Sequence, residues 1–258
     1  VRTAAATRYV TPLREGGSLP AIIEADDEGL YVLKFRGAGQ GARALIAELL
    51  AGEIARLLEL PIPEIVFMEL SADIARTEPD PEIQSLIRAS DGLNLALDYL
   101  PGSTTFDPLV FEPDAELASA IVWFDAFVCN VDRTARNVNM LLWHRRLWLI
   151  DHGAALYFHH DGTSWSRQAA GAFPLIKDHV LLRFAASIAA ADERLRALLS
   201  RAKLSALIDL IPDSWLPQEA GSPSLREQRR AYLDFFCERL EHSEVFVSEA
   251  IRARGAQT

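Results

Sequence analysis

Asp132, Asn137 and Asp151 stand within one short stretch, NVDRTARNVNMLLWHRRLWLIDHG, at residues 130–153. Their types suit phosphoryl transfer. That reaction takes a carboxylate beside the attacking hydroxyl and oxygen ligands that hold magnesium against the phosphates, because it runs mainly on positioning and charge neutralisation. Asp132 supplies the first, and Asn137 with Asp151 the second. An Asp and an Asn five residues apart, followed by Asp-x-Gly after a strand, has the order this chemistry needs. Any one of the three alone would read as a loop polar bonding its own backbone. The ordered trio is what points to a site.

Several elements must position it. MLLW and LWLI flank His144-Arg145-Arg146 as a hairpin, and the apolar run from Asp114 to Val128, with Ile121, Val122, Phe124 and Phe127, predicts a core helix that presents the loop. Upstream, RYVTPL, LPAIIEA and LYVLKF predict a three-stranded meander over 8–35, with turns at Glu15-Gly16-Gly17-Ser18 and Asp26-Asp27-Glu28-Gly29. The glycine loop could lay amides over an anion, although taken alone it is a hairpin turn. Lys34 stands among Val32, Leu33 and Phe35 and needs a partner, unless it snorkels to water from a sheet edge. Residues 43–59 carry Leu45, Leu49, Leu50, Ile54, Leu57 and Leu58 at helical spacing, and of its acids Glu48 is preferred as that partner, with Glu53 left open. A polar stretch with a short helix follows at 72–92, then LNLALDYLPG as a strand entering a linker. The division falls near Leu100, giving parts 1–100 and 101–258. The second part is mainly helical, with patterns at 174–210 and 225–253.

The 258 residues suffice for a well-buried core. With 26 basic against 36 acidic residues the net charge is −10, and no basic stripe suggests a nucleic-acid partner. Cys129 and Cys237 lack CxxC spacing and are expected as reduced core residues. The N-terminal residues carry no signal-peptide pattern and no segment reaches membrane-spanning length, so a cytoplasmic location is the expectation.

Two rival readings compete. GAGQGA at 37–42 fits G-x-G-x-x-A between a strand and a helix, with Glu69 placed as a ribose acid, which would be dinucleotide binding. Against it, Lys34 and Arg36 sit where a buried parallel strand is apolar, and no repeated βαβ units follow. Asp151, His152, His159, His160 and Asp161 could instead be hydrolytic metal ligands, but HExxH or comparable spacing is absent. His152 is expected to tune or pack beside Asp151.

The order of parts resembles the HipA-like kinases, bacterial relatives of the phosphoinositide-kinase-like fold. GGSLPAII, YVLKF, ARALIAELLAGEIARLLELPIPE, LDYLPG, NVDRTARN, LIDHG, IPDSWL and YLDFFCERL carry the resemblance over nearly the whole chain. DRTARN is similar also to the DRxxxN loop of phosphoinositide kinases, and LIDHG to their metal-binding turn. The resemblance implies an α+β, two-lobed protein-kinase-like fold, with a small β-rich N-lobe holding one helix and a mainly helical C-lobe. It implies Lys34 as the phosphate-binding lysine, Glu48 as its partner, Asp132 as the catalytic Asp, and Asn137 and Asp151 as magnesium ligands. Gly16, Gly17 and Ser18 would cover the phosphates, and backbone near Tyr99 would meet adenine. The expected function is an ATP- and magnesium-dependent phosphotransferase acting on a Ser or Thr hydroxyl of a protein. The alternatives are a catalytically silent kinase-like nucleotide-binding regulatory module and a lipid or small-molecule kinase. The chain is shorter than full-length HipA toxins and shows no match to their extra N-terminal subdomain, so toxin activity and an antitoxin-like partner do not follow.

Overall fold

Alternating apolar residues in the first hundred positions close into a five-stranded barrel. The computed structural model describes residues 1–13, 19–39, 41–160 and 165–257. Its first strands are β1 (Thr3–Pro12), β2 (Ala21–Ala25) and β3 (Leu30–Lys34), followed by α1 (Gly41–Leu57), β4 (Ile65–Leu70), α2 (Pro81–Ala89) and β5 (Gly92–Asp98). The strand order is β1-β2-β3-β5-β4, and β1 returns to pair in parallel with β4 through Thr3, Ala4 and Ala5. The expected meander is thus three strands of a larger closed structure. β1 also begins five residues before the expected RYVTPL, because closure on β4 needs that extension. Two register irregularities, at Ala6/Arg8 and Tyr9/Thr11, bend it between its two neighbours.

Apolar residues surround α1 on every side, and Leu45 through Ala55 are all buried. Its approach to β4 is so close that a Cβ on Gly52 would stand 2.2 Å from the Ile65 side chain. The apolar side chains of α1 share one core cluster with the helices of the second half, whereas the barrel interior forms a separate cluster around Ile23, Leu33, Val66 and Met68. α1 therefore joins the barrel to the rest.

After Leu100 come β6 (Thr104–Thr105), α3 (Ala115–Phe127), β7 (Met140–Trp143) and β8 (Arg146–Leu149). The Asp114 carboxylate accepts from the Leu117 amide and starts α3. β7 and β8 pair with Trp143 opposite Arg146, so the turn is the two residues His144 and Arg145, shorter than the expected three. Both have positive φ, 48° and 63°, the backbone of a hairpin turn that glycine usually fills. The remaining helices are α4 (Trp165–Ala169), α5 (Ile188–Leu198), α6 (Arg201–Ile208), α7 (Leu225–Glu241) and α8 (Ser243–Gly255). No helix among the described residues is long and apolar enough to cross a membrane. Cys129 is buried and Cys237 only half-buried, and both are free thiols.

Arg239 of α7 ties these helices together from inside. It is fully buried; its guanidinium donates to the carbonyls of Ala126 and Phe127 at the end of α3, and to those of Gln168, Ala169 and Gly171 around the end of α4. Helix C-termini carry unpaired carbonyls and partial negative charge, so one cation serves both. Replacing Arg239 with Met should leave those acceptors unbonded and lower stability by about 3 kcal/mol. A thermal melt should show this as a fall of about 6–12 °C. An unchanged midpoint would mean that the carbonyls find other donors.

Candidate functional site

α3 stops where Cys129 turns to φ 55°, and the loop that follows hangs from one buried carboxylate. Asp125, the one charge in the apolar run AIVWFDAFV, is fully buried. It accepts from Asn130 Nδ2 at 2.9 Å, Arg133 Nε at 2.6 Å and His179 Nε2 at 2.9 Å. Burial pushes its pKa up, but the Arg133 guanidinium and His179 outweigh that and hold it far below the usual carboxylate range. Arg133 donates also to the Asn139 carbonyl, and its own carbonyl accepts from the Val180 amide. The residues on either side of Asp132 are thereby fixed.

Asp132 itself is half-buried. Its Oδ2 accepts from Asn137 Nδ2 at 2.7 Å and its amide donates to Asn130 Oδ1 at 3.1 Å. Burial raises its pKa, and the nearby Asp151 adds to the rise against the Asn137 and Asn139 bonds. A carboxylate with a raised pKa is better suited to accept a proton than an ordinary surface Asp.

The facing wall is built from three elements. Lys34, at the end of β3, places Nζ 2.6 Å from Asp151 Oδ1 and 3.6 Å from Glu48 Oε2. Burial pulls the Lys34 pKa down, yet the two carboxylates more than reverse this; Glu48 is also displaced by burial, upward, and Lys34 and His152 bring it well below its ordinary value. Glu53 instead pairs with Arg56 at 3.2 Å. His152, fully buried, directs Nδ1 to Glu48 Oε1 at 3.4 Å, so its partner is Glu48 and not Asp151 as expected. Asp151 itself has left-handed backbone, φ 54°.

Two cavities meet at Lys34, Asn137 and Asp151. One, about 670 Å³, runs past Val32, Leu97 and Ile150 to Asp98, Tyr99 and Leu100. The other, about 240 Å³, runs along Ala38, Gly39, Gly41 and Ala44, with Asp132 on its wall. The Tyr99 amide donates to the Leu30 carbonyl at 3.0 Å, so any backbone donor to a base must be another group near it. Gly16, Gly17 and Ser18 lie outside the described residues, as does Asp161; Pro12, Leu13 and Pro20 on either side of that loop line the larger cavity.

The rival readings find no support in this arrangement. β3 and β4 both pair antiparallel with β5, which lies between them, so the strand-helix-strand around 37–42 is not a dinucleotide-binding unit. Gly37 serves packing: a Cβ there would stand 2.8 Å from Ala89. Among the described residues no group of three or more His, Cys, Asp or Glu could hold a metal, and His159 faces the Tyr232 hydroxyl at 3.3 Å. Asn139 escaped the sequence reading. Its Nδ2 reaches the carbonyls of Asp132 at 3.2 Å and Asp151 at 3.5 Å, joining the two halves of the site.

A profile described as HipA-like kinase matches residues 7–243. The chain belongs to the HipA-like kinase family. As a HipA-like kinase it is a kinase-like phosphotransferase by family, with the α+β, protein-kinase-like fold that its parts imply. Two solved structures are similar in fold. The crystal structure of a Helicobacter pylori proinflammatory kinase, CtkA, is 13% identical over 93% of this chain and 95% of that one, with a TM-score of 0.52. A Golgi casein kinase with Mn/ADP bound is 11% identical over 99% of this HipA-like kinase and 75% of that chain, with a TM-score of 0.56. No curated protein matches by sequence.

Proposed function

We propose that this HipA-like kinase transfers the terminal phosphoryl group of magnesium-bound ATP to a Ser or Thr hydroxyl of a protein. The observation that carries the reading is the junction of the two cavities, where Lys34 sits between Glu48 and Asp151 and shares a cavity lining with the Asp132–Asn137 pair. The nucleoside would occupy the larger cavity, between lobes whose division we place near Leu100. The acceptor hydroxyl would enter from the smaller one, beside Asp132. Lys34 would bind phosphate oxygens, and Asp132 would orient the hydroxyl and take its proton.

Oxygen donors suit magnesium. Asp151 is partly exposed, and Asn137 bonds Asp132 through nitrogen, so its oxygen is not spent there. These two residues would hold the ion, which when bound neutralises phosphate charge. The remaining ligands would be phosphate oxygens and water.

Thermal melts test this. Mg-ATP at a hundred times its dissociation constant adds about 2.7 kcal/mol, a shift of about 5–11 °C for a chain of this size. The shift should require magnesium and should largely disappear in Asp151→Ala. A shift with NADH and none with Mg-ATP would overturn the reading.

A further inference from the structure

We propose that His152 is a positioning residue for the Lys34–Glu48 pair, acting from behind Glu48 and out of reach of any substrate. This rests on the phosphotransferase reading of the same site. Lys34, Glu48, His152 and Asp151 form a closed ring: Asp151 Oδ1 to Lys34 Nζ at 2.6 Å, Nζ to Glu48 Oε2 at 3.6 Å, Glu48 Oε1 to His152 Nδ1 at 3.4 Å, and the peptide bond back to Asp151. The ring joins β3, α1 and the turn after β8. His152 therefore divides the two oxygens of Glu48, taking one and leaving the other for Lys34. It also makes the helix that carries Glu48 move with the turn that carries Asp151.

The second ring nitrogen supports a functional role. A carboxylate accepts only, so in the neutral ring Nδ1 carries the hydrogen and Nε2 is a bare acceptor. His152 has 0% exposure, and its Nε2 has no hydrogen-bond partner among the described residues. The ring also stands edge-on to Phe124, 5.7 Å between centroids. Buried polar atoms without partners are few in native proteins and each costs stability. A phenyl ring would remove the unpartnered Nε2 but would leave buried Glu48 Oε1 without its donor. What the imidazole supplies and a phenyl ring cannot is the bond from Nδ1 to Glu48 Oε1.

The two roles separate in one experiment, in which wild type, His152→Phe and His152→Asn are compared for unliganded melting midpoint and for Mg-ATP affinity by calorimetry. His152→Phe should weaken Mg-ATP binding about tenfold and, because it leaves buried Glu48 Oε1 without its donor, should also melt below wild type. His152→Asn, whose amide nitrogen stands near the place of Nδ1, should keep most of the affinity while melting lower. If His152→Phe fails to fold, His152→Leu takes its place. Wild-type affinity in the donor-free variant would overturn the inference and leave the phosphotransferase reading intact. Absence of Mg-ATP binding by the wild type would overturn that reading and the inference with it.

Discussion

Asp132→Asn should lower phosphoryl transfer by roughly 10²–10⁴-fold, the range for loss of a positioned proton acceptor, while the magnesium-dependent melting shift with ATP stays close to that of wild type. The split follows from where Asp132 sits. It lines the smaller cavity together with Lys34 and Glu48 but bonds neither of them, its carboxylate accepting from Asn137 at 2.7 Å and from Asn139 at 3.4 Å. Asn at 132 retains the shape and one oxygen, so the bond from Asn137 can persist, but the carboxylate that receives a proton is gone. The check is a single-turnover assay with labelled ATP, with phosphate followed to protein and to water. Near-full transfer by the variant would remove Asp132 from the chemistry. No transfer by wild type, alongside intact Mg-ATP binding, would make the molecule a nucleotide-binding regulatory module.

Asp125→Ala should cost about 3–5 kcal/mol, as expected when one partner of a buried ion pair is deleted and the other stays behind uncompensated. Arg133 has 1% exposure and would keep its charge without its carboxylate. The midpoint should fall by about 6–20 °C, and transfer should suffer even where the variant is folded, since Asn130 and Arg133 both flank Asp132. The double variant Asp125→Leu with Arg133→Met removes both charges and should recover part of the stability, but not the transfer. Recovery of both would mean that Asp125 serves the fold only. The same carboxylate gives a pH dependence. Asp125 and Glu48 have folded pKa values below their ordinary ones, so their stabilisation is present above about pH 4–4.5 and is lost as pH falls towards the folded values. Asp132, raised in the fold, works in the opposite sense and higher up, its contribution being lost as pH rises from its ordinary value through the folded one, but it is only half-buried. Melts between pH 6 and pH 3 should therefore show a steep loss, and Asp125→Ala should flatten it.

How much of this was legible in the chain depended on whether the signal was local. Asp132, Asn137 and Asp151 lie within about twenty residues, and the hairpin between them has its own pattern, so spacing alone brought them together. Lys34 and Glu48 were legible because a charge inside an apolar run needs a partner, and the distance of 3.6 Å joins them. The start of β1 was not legible. Thr-Ala-Ala-Ala has no alternation, and it is a strand only because β4 stands beside it. Arg239 was hidden among the other charges of REQRRAYLDFFCERLE, where periodicity cannot tell a buried arginine from solvated ones. Asp125 could have been found: it is the single charge within AIVWFDAFV, and the same reasoning that singled out Lys34 applies to it. Asn139 and the Glu48 contact of His152 depend on how the loop folds back, which no local pattern encodes.

Closure of the barrel by β1 against β4 also limits how other molecules can attach to this half. A strand at the border of an open sheet offers unpaired amides and carbonyls to any extended peptide, both for recruitment and for aggregation. Here every barrel strand has a neighbour on each side. Along Thr3, Ala4 and Ala5, where β1 pairs with β4, a polypeptide seeking to lengthen the sheet would find no seam to join. Recognition along that seam is left to side chains and loops.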